Sequence, residues 1–570
     1  MRFNTLASDY DGTLAHDGIV DDATIRALER LVQSGRKLIL VTGRERPELE
    51  SIFPRIDSCE RVVAENGALL YNPATKEERV LSKPPSAEFV QALRDRGIED
   101  FRVGKSIVAT WRPHETVVLQ VIQEQGLELQ IVFNKEAVMV LPSGVNKSSG
   151  LCAALEELGL SSHNVIAIGD AENDHAFLES CECPIAVANA IPSLKEKAVW
   201  VTEGERGQGV TEAIGRLLEN DLADLPLLKE RGQVRIGSVG DQVVSLPAYG
   251  RTVLVCGQSG SGKSSLVIGL VERITDLRYE LCLVDPEGDY QNLANFRTLG
   301  SDKHAPTVAE LEEALKKPGV NTVLNLVGIG TSDRAERFSG LINALQTHRL
   351  KYGRPHWIVI DEAHHVFPSE WVAGVDESNV DLRNVLLVTV HPEFVSQKLL
   401  QKVDTVIVVG REPGSSIEGF ARATERVAPH AGTADLERGQ ALVWFVNQDK
   451  VYEPVQIEPS RTEHDRHKRK YAEGRIEEER VFHFRGPENK MDLRAHNLTI
   501  FIEIAQGIDD ETWSFHLGRG DYSNWMATSL KDPELATQVE AVEQDRSLPL
   551  PETRRRIVEA IQQKYTAPAK

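Results

Sequence analysis

The sequence is poor in cysteine and has no long hydrophobic run. Six cysteines among 570 residues are too few for a disulfide framework. Cys181 and Cys183 form a CxC pair with no second Cys/His pair nearby, so we expect structural thiols and not a zinc site. No apolar stretch reaches the ~18 residues that a membrane span needs. The start "MRFNTLA" leaves no room for a signal peptide, and we expect a cytoplasmic protein without a membrane partner.

The sequence also lacks an excess of positive charge. Its formal net charge of −21 argues against a generally basic nucleic-acid-binding surface, although it does not exclude a locally basic channel. The one basic cluster, at 464–475, is followed by the acidic run "RIEEER", which favours a solvated helix of mixed charge. A nucleic-acid partner is therefore unsupported by the charge.

The length of 570 residues predicts about three or four domains. In the first third, strands such as "FNTLASDYD", "KLILVTGR" and "NVIAIGDAEND" alternate with helices, which is typical of a parallel α/β sheet covered on both faces. Ligands of such sheets bind at the carboxyl ends of the strands. Asp9, Thr42 and Asp170 follow three predicted strands, so we expect them to meet at one site.

Two pairs of acidic residues follow two of these strands. Asp9 and Asp11 come after the first, and Asp170 and Asp174 come after the later one. Carboxylate oxygens are ligands that Mg²⁺ prefers, and the ion would remove the repulsion between them. One aspartate can then act as a nucleophile on a phosphoryl group, and a second carboxylate two residues away can act as general acid and base. Taken alone, "DG" in "DYDGT" is also a common turn signal.

These motifs resemble the haloacid-dehalogenase (HAD) phosphatases of the Cof-type branch. "DYDGT", "VTGR", Lys147 and "GDAEND" stand in the family's order, and "AENGALLY" and "ANAIPSLKEKAVWVTEGERGQGV" are similar as well. The resemblance covers residues 1 to about 218. It implies a Rossmann-like domain with an inserted α/β cap at about 73–140, which is short and so suggests a small phosphorylated substrate. A HAD domain retained for binding or regulation is the alternative.

The resemblance also assigns roles to individual residues. Asp9 is the implied nucleophile and Asp11 the implied acid and base. Phosphate binding falls to Thr42, Gly43, Lys147 and Asn173, and the implied Mg²⁺ ligands are Asp9, Asp11, Asp170 and Asp174.

The middle of the chain carries a second phosphate-binding pattern. An apolar strand, a glycine-rich turn and an apolar helix follow one another in "RTVLVCGQSGSGKSSLVIGL", which is the context that a P-loop requires. Backbone N–H groups and the helix N-terminus would hold ATP phosphates, with Lys263 on the β- and γ-phosphates and Ser264 on Mg²⁺. The predicted nucleotide-binding residues are Gly257, Gly260, Gly262, Lys263, Ser264 and Ser265.

A partner acid follows a later apolar strand in "HWIVIDEAHHVF". Asp361 is the candidate Mg²⁺ ligand and Glu362 the candidate base for the attacking water. Glu287, His391 and Arg411 follow other predicted strands and are candidate auxiliary residues. The alternatives are a capped turn around Asp285 and Glu287, a loop histidine and a surface arginine.

Residues 233–455 resemble the HerA/FtsK-like, DUF87-type ATPases. The resemblance lies in "GQSGSGKSS", "VDPEGDY", "WIVIDEAHHVFP" and "LERGQALVWF". It implies a RecA-like core, ATP hydrolysis with Mg²⁺, and a homo-oligomeric ring, often a hexamer, that acts on nucleic acid or polypeptide. The chain departs from the family at "VTVHP", where Thr389 and His391 stand near the position of a frequent glutamine.

The remaining segments are predicted to be a linker at 219–232, a charged linker at 456–480 and a small helical accessory domain at 481–570. Three functions stay open. The first is a bifunctional enzyme, a Mg²⁺-dependent phosphomonoesterase fused to an ATP-hydrolysing motor. The second is a nucleic-acid translocase or end-processing machine whose HAD domain acts on nucleic acid or nucleotides. The third is a regulatory ATPase whose HAD domain senses a phosphorylated metabolite.

Overall fold

The computed structural model describes residues 2–565, except 135, 227, 229–230, 259, 291–292, 331–332, 370–380, 431–434, 462–479 and 531. Most of the predicted charged linker, with the basic cluster, therefore lies outside the described residues. The chain forms two compact units: Met1–Gly257 with Leu270–Glu458, and Gln258–Gly269 with Pro459–Lys570. Within the described residues, every helix is too short or too polar to cross a membrane.

An eight-stranded sheet organises the first domain. Its order is β12-β11-β10-β1-β2-β3-β4-β5, with parallel pairing from β12 to β3 and antiparallel pairing beyond. The central strands are buried along their whole length, because helices cover both faces of such a sheet. The strands are β1 (Thr5–Ser8), β2 (Lys37–Val41), β3 (Arg61–Ala64), β4 (Leu69–Asn72), β5 (Glu77–Val80), β10 (Val165–Gly169), β11 (Cys183–Ala186) and β12 (Trp200–Val201).

Helices connect the parallel strands of this sheet. Helix α1 begins where the Asp21 side chain accepts a hydrogen bond from the Thr24 N–H, and it buries an apolar stripe that includes Leu28. After α8, Leu222 and Leu225 bury in the same core, so this part of the predicted linker packs on the domain. The helices are α1 (Asp22–Gln33), α2 (Arg46–Ile52), α5 (Lys147–Leu158), α6 (His175–Ser180), α7 (Pro192–Lys197) and α8 (Arg206–Asn220).

A smaller antiparallel sheet forms the inserted cap. Its order is β6-β7-β9-β8, and helices α3 and α4 pack on it around a separate core that contains Phe89 and Val118. Strand β5, inside the predicted cap range, pairs instead with β4 of the large sheet. The cap elements are α3 (Ala87–Asp95), β6 (Phe101–Val103), β7 (Val108–Trp111), α4 (Glu115–Glu124), β8 (Leu129–Asn134) and β9 (Ala137–Pro142).

An eleven-stranded sheet organises the second domain. Its order is β14-β13-β23-β22-β21-β15-β20-β19-β16-β18-β17, with parallel pairing from β21 to β17. The strands are β13 (Gln233–Val239), β14 (Gln242–Pro247), β15 (Thr252–Cys256), β16 (Leu281–Asp285), β17 (Phe296–Leu299), β18 (Asn321–Asn325), β19 (Trp357–Ile360), β20 (Val385–Thr389), β21 (Thr405–Val409), β22 (Gln440–Phe445) and β23 (Lys450–Ile457).

Helices between these strands complete the second domain. Helix α11 buries Phe338 and Leu345 in a core shared with β19 and β20. The helices are α9 (Lys263–Asp276), α10 (Val308–Leu315), α11 (Arg334–Tyr352), α12 (Ala363–Val366), α13 (Gln397–Leu400) and α14 (Pro413–Thr424).

The two sheets dock by their amino edges. On the first domain, Asn164 and Glu182 immediately precede β10 and β11; on the second, Tyr279 lies just before β16 and His356 just before β19. The Tyr279 hydroxyl donates to Glu182 Oε1 at 2.9 Å, and His356 Nε2 lies 3.2 Å from Asn164 Oδ1. Buried Arg354 adds a hydrogen bond from Nε to the carbonyl of Gly159 at 2.9 Å, so the joint is a closely packed polar interface.

The C-terminal segment of the second unit is mainly helical, as predicted from its sequence. Its core contains the aromatic side chains of Trp513, Tyr522 and Trp525. The elements are β24 (Phe482–Phe484), β25 (Leu493–Ala495), α15 (Leu498–Gly507), α16 (Asp510–Leu517), α17 (Asp521–Thr528), α18 (Pro533–Gln544) and α19 (Leu550–Tyr565).

Candidate functional site

Three carboxylates meet at the carboxyl edge of the first sheet. Asp9 follows β1 and Asp170 follows β10, and these two strands are parallel neighbours. Asp174 lies one short turn further along the chain, and oxygens of all three side chains lie within 4.8 Å of one another. They are 4%, 2% and 0% exposed for Asp9, Asp170 and Asp174 respectively. Buried acids at this spacing need a compensating positive charge.

Lys147 supplies a positive charge in the same place. It is the first residue of α5, whose start is fixed by a capping box between Asn146 and Ser149. Its Nζ lies 2.5 Å from Asp9 Oδ1 and 2.5 Å from Asp174 Oδ1. The other oxygen of Asp174 accepts the N–H groups of Asp170 and Ala171 at 2.8 and 2.9 Å. Asp174 therefore holds both the lysine and the loop that carries Asp170.

Burial and neighbouring charges shift the proton affinities of this group. Burial raises the pKa of the Asp9 carboxyl well above its ordinary value; Lys147 opposes the rise, and Asp174 and Asp170 add to it. For Lys147, burial acts to lower the pKa, but Asp174 and Asp9 outweigh it and raise the pKa overall. The lysine thus stays protonated and favours the ionised form of the nucleophile candidate.

The donor set fits Mg²⁺. Asp170 is oriented by a hydrogen bond from the Thr13 hydroxyl to its Oδ1 at 3.0 Å. Gly12 lies against the same carboxylate with φ +85°, and a Cβ there would stand 2.3 Å from Asp170 Oδ2. Hard carboxylate oxygens, held without side-chain bulk beside them, are suited to this ion. Asp9, Asp170 and Asp174 are the residues that would hold it.

Asp11 stands outside this cluster. Its two oxygens accept hydrogen bonds from Arg44 Nε and Nη2 at 2.6 and 2.7 Å, a bidentate pairing. The structure thus places the Asp11 side chain on Arg44 and not among the three carboxylates, where the resemblance had put it as a fourth metal ligand. Thr42 is fully buried and its hydroxyl accepts the Arg44 N–H at 3.1 Å, while Gly43 faces the cap residue Met139.

Two asparagines near the site, Asn66 and Asn189, were not predicted from the sequence as site residues, and Asn66 contacts the predicted residue Asn173. Its side-chain amide donates to Asn66 Oδ1 at 3.1 Å. Asn189 donates from Nδ2 to the carbonyl of Gly12 at 2.8 Å and accepts the Arg206 N–H at 2.8 Å. Asn66 lies in the "AENGALLY" segment that supported the resemblance, so a signal was present there, although it did not specify the contact.

The P-loop has the backbone that its glycines predict. Gly257, Gly260 and Gly262 have φ of 143°, 78° and 99°, values that favour glycine. Lys263 is buried, and its Nζ donates to the carbonyl of Gln258 at 3.0 Å. Ser264 is buried and Ser265 exposed in the first turn of α9. These residues stay nucleotide-binding predictions.

The acidic pair after β19 lies among histidines. Asp361 Oδ1 accepts the Glu362 N–H at 3.0 Å, and Glu362 has φ 43°, an uncommon backbone conformation for a side chain of its size. His364 Nδ1 lies 3.6 Å from Glu362 Oε2 and 3.0 Å from the Thr389 hydroxyl at the end of β20. Burial, followed by the charges of His365 and His391, lowers the pKa of His364 to about 4, so its ring is neutral near pH 7.

The three auxiliary candidates have different surroundings. The Glu287 N–H donates to Asp285, whose carboxylate also accepts the N–H groups of Gly288, Asp289 and Tyr290. This pattern is that of a capped turn, the structural alternative for this segment. His391 is half-exposed with Nδ1 3.2 Å from Glu393 Oε1, and Arg411 is exposed two residues after β21.

Comparisons with known proteins identify relatives of both domains. The family model described as haloacid dehalogenase-like hydrolase matches residues 6–108 and 107–214, and an AAA domain model matches residues 248–401. A phosphoglycolate phosphatase of Methanothermobacter thermautotrophicus is 31% identical over 37% of this chain and 98% of its own length. Phosphoglycolate phosphatase 2 of Saccharolobus solfataricus is 29% identical over 38% of this chain and 93% of its own length.

A haloacid dehalogenase-like hydrolase of Bacteroides thetaiotaomicron aligns at 19% identity and a TM-score of 0.33 over 38% of this chain and 99% of its own. Through its N-terminal domain, the chain belongs to the haloacid dehalogenase-like hydrolases. It is a hydrolase with a phosphatase domain followed by an AAA-type P-loop ATPase domain. The closer resemblance to HerA/FtsK-like ATPases stays a prediction.

Proposed function

We propose that the N-terminal domain is a Mg²⁺-dependent phosphomonoesterase that works through an aspartyl-phosphate on Asp9. The observation that supports this most is the buried contact of Lys147 with Asp9 and Asp174, beside Asp170. A nucleophilic carboxylate needs its negative charge and a nearby cation for the incoming phosphate. This cluster has both at one edge of the sheet.

The reaction then proceeds in two displacements. An Asp9 carboxylate oxygen attacks phosphorus and the ester P–O bond breaks, with the leaving oxygen taking a proton from Asp11. Water next attacks the phosphoryl group, gives its proton back to Asp11, and frees phosphate and the Asp9 carboxylate. The Lys147 ammonium and the Thr42 hydroxyl orient the phosphoryl oxygens. In this structure Arg44 holds the Asp11 carboxylate by two hydrogen bonds, so Asp11 must leave this pairing and take up a proton before it acts as the acid.

Mg²⁺ bound by Asp9, Asp170 and Asp174 would offset the negative charge of these carboxylates and of the phosphate. Burial raises the pKa of the Asp9 carboxyl, and Lys147 acts against this rise, so it favours the ionised nucleophile before substrate binds.

The substrate we propose is a small phosphorylated carboxylic acid of the phosphoglycolate type. Relatives named phosphoglycolate phosphatases align over nearly their whole length with this domain. The cap residue Met139 lies against Gly43, and a cap that approaches the phosphate site this closely suits a compact substrate.

For the second domain we propose ATP hydrolysis, with Lys263 and Ser264 on the phosphates and Mg²⁺, Asp361 as a further metal ligand and Glu362 as the base. A homo-oligomeric ring acting on nucleic acid is the motor form of this proposal. It predicts that DNA stimulates the ATPase, whereas a regulatory ATPase would be indifferent to DNA.

Phosphate release by the purified chain tests both halves. The panel contains phosphoglycolate, sugar phosphates, nucleoside monophosphates and ATP, each with Mg²⁺ and with EDTA, and ATP also with DNA. We expect Mg²⁺-dependent release from phosphoglycolate and from ATP. Release of phosphate from monoesters that persists in EDTA would contradict the metal-dependent mechanism. Equal rates of release from all the monoesters would contradict the proposed substrate class.

A further inference from the structure

Four consecutive residues, Glu65–Ala68, form a turn after β3 with an uncommon backbone. Glu65, Asn66 and Gly67 have φ of 49°, 54° and 104°. Two adjacent residues with side chains in this region are costly and persist only where the surroundings hold them. Glu65 and Asn66 are also 2% and 1% exposed. The proposed mechanism uses none of these residues, so their contacts must serve another purpose.

On the side of the large sheet, the turn contacts several parts of the phosphatase site. The Asn66 N–H donates to the carbonyl of Thr42 at 2.9 Å, and its side chain accepts from Asn173. Gly67 packs against the residue before Lys147, because a Cβ on it would stand 1.9 Å from the carbonyl oxygen of Asn146. The turn therefore touches segments that carry the phosphate-binding candidates.

On the other side, the turn reaches the cap. Glu65 Oε1 accepts the Lys105 N–H at 3.0 Å, and Oε2 accepts the Ser106 N–H at 2.8 Å. Both donors lie in the loop between β6 and β7, about forty positions away along the chain. Gly104 leaves room for the carboxylate, because a Cβ at this position would stand 2.7 Å from Glu65 Oε2. A buried carboxylate thus accepts two N–H groups of the cap backbone, which is the strong, charge-assisted kind of hydrogen bond.

An apolar contact supports the same attachment. Ala68 of the turn is buried in a small cluster with Ile107, Met139 and Leu141 of the cap. Met139 is also the residue that faces Gly43. The cap is therefore held to the large sheet at the side of the phosphate site, by the Glu65 carboxylate and the Ala68 methyl group.

We propose that Glu65 is a positioning residue that keeps the cap loop 104–107 closed against the phosphatase site. It acts through the Lys105 and Ser106 amides and does not touch the reacting atoms. Loss of its carboxylate releases the loop, so a small phosphate ester is bound more weakly, while the chemistry at Asp9 continues once the ester is bound. The proposal rests on the phosphatase role of the Asp9 site.

The first measurement needs no substrate. Amide hydrogen exchange of the loop 104–107 is compared in the full chain, in Glu65→Ala and in Glu65→Gln, with exposed Glu77→Ala on β5 as control. Two lost hydrogen bonds to a charged group predict exchange about tenfold faster or more in Glu65→Ala. Glu65→Gln keeps one acceptor oxygen and should lie between the wild type and Glu65→Ala. Unchanged protection in both variants would overturn the proposal, whatever the enzyme's activity.

Kinetics with p-nitrophenyl phosphate separates positioning from chemistry. We expect Glu65→Ala to raise KM about tenfold and to change kcat by less than about threefold, with Glu65→Gln partly restoring KM. A fall in kcat at constant KM would place Glu65 in the chemical step and overturn the positioning role. If Glu65→Ala fails to fold, Glu65→Gln decides, because it retains the shape and loses one of the two hydrogen bonds. Absence of turnover in the wild type would refute the proposed function and leave the exchange result standing.

Discussion

The two domains place their acids by the same rule and surround them differently. In both, carboxylates follow buried parallel strands and gather at the carboxyl edge of a sheet. In the phosphatase domain, Asp9 and Asp174 share the ammonium of Lys147. In the ATPase domain, Glu362 stands in a left-handed conformation beside the neutral ring of His364. The first site is an ion cluster whose negative charge the protein offsets in part through Lys147, whereas the second holds its candidate base in an uncommon backbone conformation.

The largest effect is expected at the phosphatase site, where one substitution should separate the two activities. Asp9→Asn removes the proposed nucleophile, so phosphatase turnover should fall by about three orders of magnitude or more, while ATP hydrolysis stays near the wild-type rate. The measurement is phosphate release from p-nitrophenyl phosphate and from ATP. Exposed Asp22→Asn is the control. Loss of ATP hydrolysis in a folded Asp9→Asn variant would show that the two sites are coupled.

Removing the shared cation tests how much Lys147 stabilises the cluster of carboxylates. Lys147→Met leaves Asp9 and Asp174 buried without their ammonium, and breaking such a buried pair costs about 3–5 kcal/mol. We expect a clear fall in the melting temperature of the phosphatase domain. Lys197→Met removes an exposed pair with Glu179 and should cost about 1 kcal/mol or less. Equal melting temperatures for the two variants would argue against an ion cluster that depends on Lys147.

A substitution in the P-loop should have the opposite effect and remove ATP hydrolysis alone. Lys263→Ala removes the predicted phosphate contact of the P-loop, and we expect ATP hydrolysis to fall by about a hundredfold or more. Phosphatase activity should not change, and exposed Lys303→Ala should leave both activities intact. ATP hydrolysis that survives in Lys263→Ala would mean that these residues do not form the nucleotide site.

The smallest effect concerns Asp285 at the end of β16. Burial raises the pKa of its carboxyl to about 7. The folded state then binds this proton more tightly than the unfolded chain, so the wild type loses stability as pH rises from about 4 to about 7. Asp285→Asn removes this loss, and its melting temperature should fall less than that of the wild type between about pH 5 and about pH 8. A parallel decline in both proteins would contradict the shift; exposed Asp302→Asn is the control.

Local sequence was sufficient for some parts of these sites. Asp9, Asp170 and Asp361 follow apolar runs that form buried strands, so their place at a sheet edge could be predicted from pattern alone. The positive φ angles of the P-loop glycines could also be predicted, because few other residues adopt such angles.

Other parts had no local signal. The pairing of Asp11 with Arg44 depends on a side-chain rotamer, and the contact of Glu65 with Ser106 joins positions far apart in the chain. The contact of Tyr279 with Glu182 joins two domains that sequence analysis treated as separate. Each of these depends on how elements pack, and hydrophobic periodicity does not report packing partners.

The interface between the two sheets affects whether phosphate could pass directly between the two candidate sites. Because Glu182 and Tyr279 bind amino edge to amino edge, the edge that carries Asp9 and the edge that carries Asp361 face away from each other. Under the functions proposed above, phosphate released at one edge would have to travel around the two sheets to reach the other.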